Sequence, residues 1–209
     1  MPLLQKIKQL QSTVSDALDE SRNYYVHSVG MWRVLQARIN DGKTVSIRNY
    51  TGEIVDEAVI RGLAQTYIEG HLASSTFQHF VSLFEKFVFD FFELWLCEYP
   101  GSLKGKELTL EVVLSAGDKH EIVQSVVERE LRMLAYQRMT DWFGYLDKLV
   151  HRDCPSQQQL ELLSEVKASR DVLVHNNGIA NEIYVDKSLG QARYSDGETL
   201  RNIIESHGS

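Results

Sequence analysis

The sequence predicts an all-α protein, a four- to five-helix bundle preceded by a mainly helical N-terminal extension. Three observations carry that expectation. The 209 residues contain only 3 prolines, so long helices can run unbroken. Several stretches repeat apolar residues at i, i+3, i+4 and i+7, the period of a helix with one buried face. The 13 glycines fall mostly between those stretches. At this length, with 43% hydrophobic and 24% charged residues, the chain has enough apolar surface for a real core.

Taken in order, residues 3–38 read mostly as helix, with Leu3, Leu4, Ile7 and Leu10 at helical spacing. The turn signal N-D-G at 40–42 follows. T-V-S-I-R-N-Y-T-G-E-I-V (44–55) then alternates and carries β-branched residues, a short hairpin or extended piece with N-Y-T-G as its turn. Helical character returns at about Asp56. Ser74, Ser75 and Thr76 precede the strongest apolar segment. There Phe77, Phe80, Val81, Phe84, Val88, Phe91 and Phe92 describe a helix that Pro100 and Gly101 end. Leu108–Leu114 suits helix or strand equally. Residues 119–135 are helical, with Ile122, Val126, Val127, Leu131 and Leu134 on one side; 140–150 form another helix. Asp153, Cys154 and Pro155 separate it from the last long helix, Gln157 to about Asn176, whose buried face falls to Leu162, Leu163, Val166, Leu173 and Val174. Beyond Gly178 the chain reads as short and irregular, with E-I-Y-V (182–185) open to an extended reading. The division is an extension, 1–70, and a helical domain, 71–209, with an irregular tail.

The formal net charge of −7 excludes a protein that coats long nucleic acid, and binding to duplex DNA is not expected. A small, locally basic cleft stays compatible with it. Cys97 and Cys154 belong to no C-x-x-C pair, which excludes a four-ligand zinc site and a disulfide framework and suits a reducing cytoplasm. The apolar run F-V-F-D-F-F-E-L-W-L (87–96) is interrupted by Asp90 and Glu93, so it reads as a core helix, and no membrane span is expected.

Chemistry concentrates in S-R-D-V-L-V-H-N-N-G, 169–178. Arg170 interrupts an apolar face, where an unpaired guanidinium is costly, so it pairs with something or lines an opening. Asp171 and His175 are four apart, on one face. A carboxylate beside an imidazole fixes its tautomer, and a position in the last helical turn favours positive charge. Asn177 and Gly178 supply left-handed residues that end the helix. Arg170 and His175 are five apart, about 140° around the helix. Either the arginine's length closes the gap or two copies of the motif converge from two chains. Together the three residues suffice, without metal, to cleave RNA by its own 2′-hydroxyl, which DNA lacks. The plainer alternative is a surface ion pair with a histidine cap.

R-D-V-L-V-H, Arg170 to His175, resembles the R-x-x-x-x-H signature of HEPN-domain proteins, and the following N-N-G-I-A-N-E-I-Y resembles the continuation in their RiboL-PSP-like and related branches. S-S-T-F-Q-H-F-V-S-L-F-E-K-F-V-F-D and Y-P-G-S-L-K-G-K are similar to the first core helix of those branches and its exit. The likeness spans about residues 71–187, in the same order. It implies a homodimeric helical bundle with the two motifs facing, and a metal-independent endoribonuclease leaving 2′,3′-cyclic phosphate ends. It also implies a toxin or antiviral effector held by an inhibitory or activating protein partner. Arg170 and His175 would be its catalytic pair and Asp171 the polar second residue; Asn176 falls on the substrate side. Some members of the family are silent binding modules.

Glu85, on the edge of the Phe-rich helix, reads equally as an acid that pairs with Arg170 and as a solvent-facing residue. His71, His79 and His120 lack metal-site spacing; Ser74, Ser75 and Ser82 lack a nucleophile elbow; there is no phosphate-binding glycine loop. No metal or cofactor is expected. Lys104, Lys106, Arg129, Arg132 and Arg138 are candidates for local positive potential, although Arg129 and Arg132 alternate with Glu128 and Glu130 as on a solvated face. Trp95, Trp142 and Phe143 read as core.

Overall fold

Helix starts are set by short polar side chains that accept from the otherwise unpaired first N–H groups. Asp56 accepts from Ala58 N–H, Asp118 from Glu121 N–H and Asn181 from Tyr184 N–H. Ser156 and Gln159 form a reciprocal capping box. The resulting order, in a computed structural model that describes residues 1–150 and 155–201, is α1 Leu3–Asn40, α2 Glu57–Thr66, a π-helical turn Tyr67–His71, α3 Leu72–Glu98 and a 3-10 turn Pro100–Leu103. Then come α4 Leu110–Ser115, α5 Lys119–Ala135, α6 Met139–Val150, α7 Gln157–His175 and α8 Glu182–Lys187. Asp153 and Cys154, expected between α6 and α7, lie outside the described residues. The chain is all-α: the described residues form no strand.

The expected hairpin at 44–55 reduces to a single antiparallel bridge, Arg48 to Ile54. Its arms are too short for a ladder, and the turn is held by a side chain instead. Asn49 Oδ1 accepts from Thr51 N–H and Oγ–H and from Glu53 N–H at 2.6–3.0 Å. Val45 folds under this loop against Ile39 and Ile60, with Trp32, Leu35, Ile47 and Val55 around them.

Residue 70 falls inside a helical run. α2, the π turn and α3 continue from Glu57 to Glu98, and α1, about 57 Å long at 1.5 Å per residue, packs along α3. Ser75 Oγ donates to His71 O, so this serine rides within the run rather than capping α3. Of the apolar residues at helical spacing at the start of α1, Leu4 faces solvent.

α3 is the central helix. Phe77 and Val81 meet Ala168 and Val172 of α7; Val88 and Phe92 meet Met139 and Trp142 of α6; Leu96 meets Val126 and Val127 of α5. α4 resolves the helix-or-strand ambiguity at 108–114, capped by Thr109.

Two expectations need correction. E-I-Y-V is the core of α8, because Asn181 caps it and Tyr184 anchors it inside. The buried face of α7 is Ser164, Glu165, Ala168, Ser169 and Val172, while Leu162 and Val174 are 51% and 48% exposed. α7 is in contact with α3, α6 and α8, so the arc it buries is set by three neighbours rather than by its own apolar stripe. A buried carboxylate is tolerated there because Glu165 Oε1 accepts from Ser169 Oγ–H at 2.7 Å and Tyr184 O–H at 2.8 Å, and Arg193 Nη2 lies 2.8 Å from its Oε2. No helix among the described residues is long and apolar enough to cross a membrane.

Candidate functional site

Because α3 and α7 lie side by side, Glu85 reaches two cations on α7. Its Oε2 takes Arg170 Nη2 and its Oε1 lies 3.1 Å from Lys167 Nζ. Asp171 accepts from Arg170 Nη1 at 2.9 Å, lies 3.3 Å from Lys167 Nζ and is 3.9 Å from Lys187 Nζ on α8. Three cations are thus interleaved with two carboxylates, all but Lys187 between 16% and 22% exposed at the side chain. Lys167 also stands 5.4 Å from the ring centroid of Trp142, a cation–π contact that partly replaces lost water. Arg170 Nε is buried with no acceptor among the described residues.

This cluster lines a cleft of about 620 Å³, within the ordinary range for small-molecule sites. Lys86 and Arg138 stand on its lining too, giving five cations against two carboxylates in a chain of net charge −7. Asp90 and Asp186, beyond the lining, partner Lys86 and Arg138. The last of these pairs ties the start of α6 to α8 at 2.8 Å.

His175 is the final residue of α7, exposed, and lines the same cleft. The arc of about 140° between it and Arg170 does not separate them: one chain brings both to one opening. Its imidazole makes no hydrogen bond among the described residues, and the Asp171 carboxylate is taken by Arg170 and Lys167 instead. Helix α7 ends as expected, with Asn177 at φ 52° and Gly178 at φ 75°, and Gly178 N–H donating to Val172 O. Asn176 uses its amide inside that turn, donating to Ile179 O at 2.5 Å, and is not on the cleft lining.

Of the five outlying cations considered from sequence, Arg138 alone reaches the cleft. Lys106 pairs with Glu130, and Arg129 donates to Glu107 O. Among the described residues, no three His, Cys, Asp or Glu side chains gather as a metal-ligand set. Trp142 is 2% exposed, with Nε1–H donating to Leu134 O, and is core as expected.

Sequence reasoning passed over Lys167 and Lys187. Lys167 had a signal, standing four residues before Asp171 on one face. Lys187 had none, since only the fold of the tail brings α8 back to α7. The Glu165–Tyr184–Arg193 network was also missed. It fastens the tail to α7, and burial, with the Glu165 carboxylate alongside, pushes the Tyr184 phenol above its ordinary pKa. No family model, curated protein or solved structure matches the chain.

Proposed function

We propose that the protein is a metal-independent endoribonuclease of HEPN type, working in the cytoplasm as a homodimer with its two motifs facing. The observation that carries the reading is the convergence of Arg170, Lys167 and His175 on one cleft whose lining is locally basic in an acidic protein. The R-x-x-x-x-H resemblance supplies the rest: an RNA substrate, a role as toxin or antiviral effector, and a protein partner that holds or releases the activity.

In this chemistry His175 takes the proton of a ribose 2′-hydroxyl. The freed oxygen bonds to phosphorus, the bond from phosphorus to the 5′ oxygen breaks, and that oxygen receives a proton from the imidazolium. Arg170 and Lys167 offset the charge that gathers on the phosphoryl oxygens. No metal or cofactor enters. Removing a general acid–base group costs about 10²- to 10⁴-fold, so His175→Ala should lose cleavage of total RNA and tRNA in excess EDTA while keeping its fold. Equal cleavage by wild type and His175→Ala would remove the assignment.

One observation favours a second reading, a catalytically silent helical module. Both terminal nitrogens of Arg170 are already held, by Glu85 and by Asp171, as in a purely structural arginine. On that reading Arg170→Ala lowers stability and leaves RNA untouched.

A further inference from the structure

The cleft has two unlike walls. The α3–α7–α8 wall is ionic, formed by Glu85, Lys167, Arg170, Asp171 and Lys187. The other part of the lining is the turn between α5 and α6, with Tyr136, Gln137 and Thr140 beside Met139 and Trp142, which are 3% and 2% exposed. That turn is firmly built: Gln137 N–H donates to Leu134 O, and Arg138 N–H to the Asp141 carboxylate.

Tyr136 is 86% exposed, and its side chain makes no hydrogen bond or ring contact among the described residues. Exposed aromatics also occur elsewhere, at Tyr50 on the loop tip and at Tyr24 on α1. Tyr136 differs from both in lining the cleft that holds the cations. The side chains of Gln137 and Thr140 likewise have no protein partner among the described residues, so one amide and one hydroxyl stand beside the ring. A nucleotide has the same two-part chemistry. Its phosphate wants cations, and its base wants a flat apolar face with donors and acceptors at the edge.

We propose that Tyr136 is a nucleobase platform: a base flanking the phosphate held at Lys167 and Arg170 stacks on its ring, with Gln137 and Thr140 meeting the base edge. The assignment rests on the RNA-cleaving reading for its substrate class, and it adds the residue that grips the base. Arg138, paired with Asp186, lines the same cleft.

The test is equilibrium binding, by fluorescence anisotropy at low ionic strength, of short single-stranded RNA whose 2′-hydroxyls are replaced by fluorine so that it cannot be cleaved. Base–aromatic stacking is worth about 1–3 kcal/mol per base, so Tyr136→Ala should bind about five- to 150-fold more weakly. Tyr136→Phe should bind as the wild type does. Because the ring is exposed, neither Tyr136 variant should lose the fold. On cleavable RNA, Tyr136→Ala should raise KM while kcat holds, the mark of lost uniform binding. Wild-type affinity in Tyr136→Ala, equal weakening in Tyr136→Phe, or no binding by the wild type would each overturn the platform. Tyr136-dependent binding without any cleavage in EDTA would support the platform and remove the nuclease reading alone.

Discussion

Replacing Glu85 probes whether the arginine of the motif is held for structure or kept for an anion. Its carboxylate, 16% exposed, meets Arg170 and Lys167. Hydrogen bonds to charged groups are each worth about 1.5–3 kcal/mol net. Glutamine keeps one acceptor oxygen, and Asp171 still holds both cations, so Glu85→Gln should cost about 1–2 kcal/mol. Glu85→Ala also removes the acceptor and should cost about 3 kcal/mol, the lower end for breaking a buried pair, because the site is partly open. For a chain of this size 1 kcal/mol moves Tm by about 2–4 °C, so the expected losses are about 2–8 °C and 6–12 °C. Affinity should move the other way. Losing one carboxylate raises the inner cluster from three cations against two acids to three against one, so RNA binding at low salt should tighten about several-fold and the gain should fade as salt screens it. Thermal scans and anisotropy on the same two preparations read both effects. Unchanged Tm in both variants would refute the account of a held guanidinium. Lower Tm with unchanged RNA affinity would show that the cluster is structural and the cleft no anion site.

Two further outcomes test the frame around the site. Glu165 is 3% exposed and accepts from Ser169, Tyr184 and Arg193. Glu165→Ala should therefore cost about 3–5 kcal/mol by removing the buried acceptor that Ser169, Tyr184 and Arg193 share. Limited proteolysis should then cut within 179–201 before α3, and a tail as resistant as in the wild type would show that the network does not fasten it. The second outcome concerns pH. The Tyr184 phenol is pushed above its ordinary value by burial first and by Glu165. The folded state therefore holds that proton more tightly than the unfolded chain, and the associated stability is full below the unfolded phenol pKa of about 10 and declines above it. Denaturant midpoints should fall above about pH 10 in the wild type and fall less in Tyr184→Phe; equal slopes would reject the assignment.

The helices were legible because period and punctuation are local properties. The Phe-rich run with Pro100 and Gly101 after it, Ile122 to Leu134 on one side of α5, and the Asn177–Gly178 stop each carry their own signal. The misreadings have a common physical source. Leu162 and Val174 were assigned inward on hydrophobicity, but α7 is gripped by three helices, and what faces them is Ser164, Glu165 and Ala168. A buried carboxylate looks like a surface residue until its donors are known, and the donors Tyr184 and Arg193 lie 19 and 28 residues from Glu165.

The site divides in the same way. The six residues Arg170 to His175 announce themselves by spacing, and Lys167 stands within their i, i+4 reach. What surrounds them was decided in three dimensions. Glu85 meets Arg170 from 85 residues away only because α3 and α7 pack together, and Lys187 arrives because Asn181 turns the tail into α8. Tyr136 lines the same cleft because the α5–α6 turn comes to it. The sequence by itself determined an all-α chain and the stretches that make its long helices, since those follow from neighbours a few residues apart. Tertiary structure alone decided which charges face one another and what opening they share, since packing, not chain distance, sets the separations on which electrostatics depends.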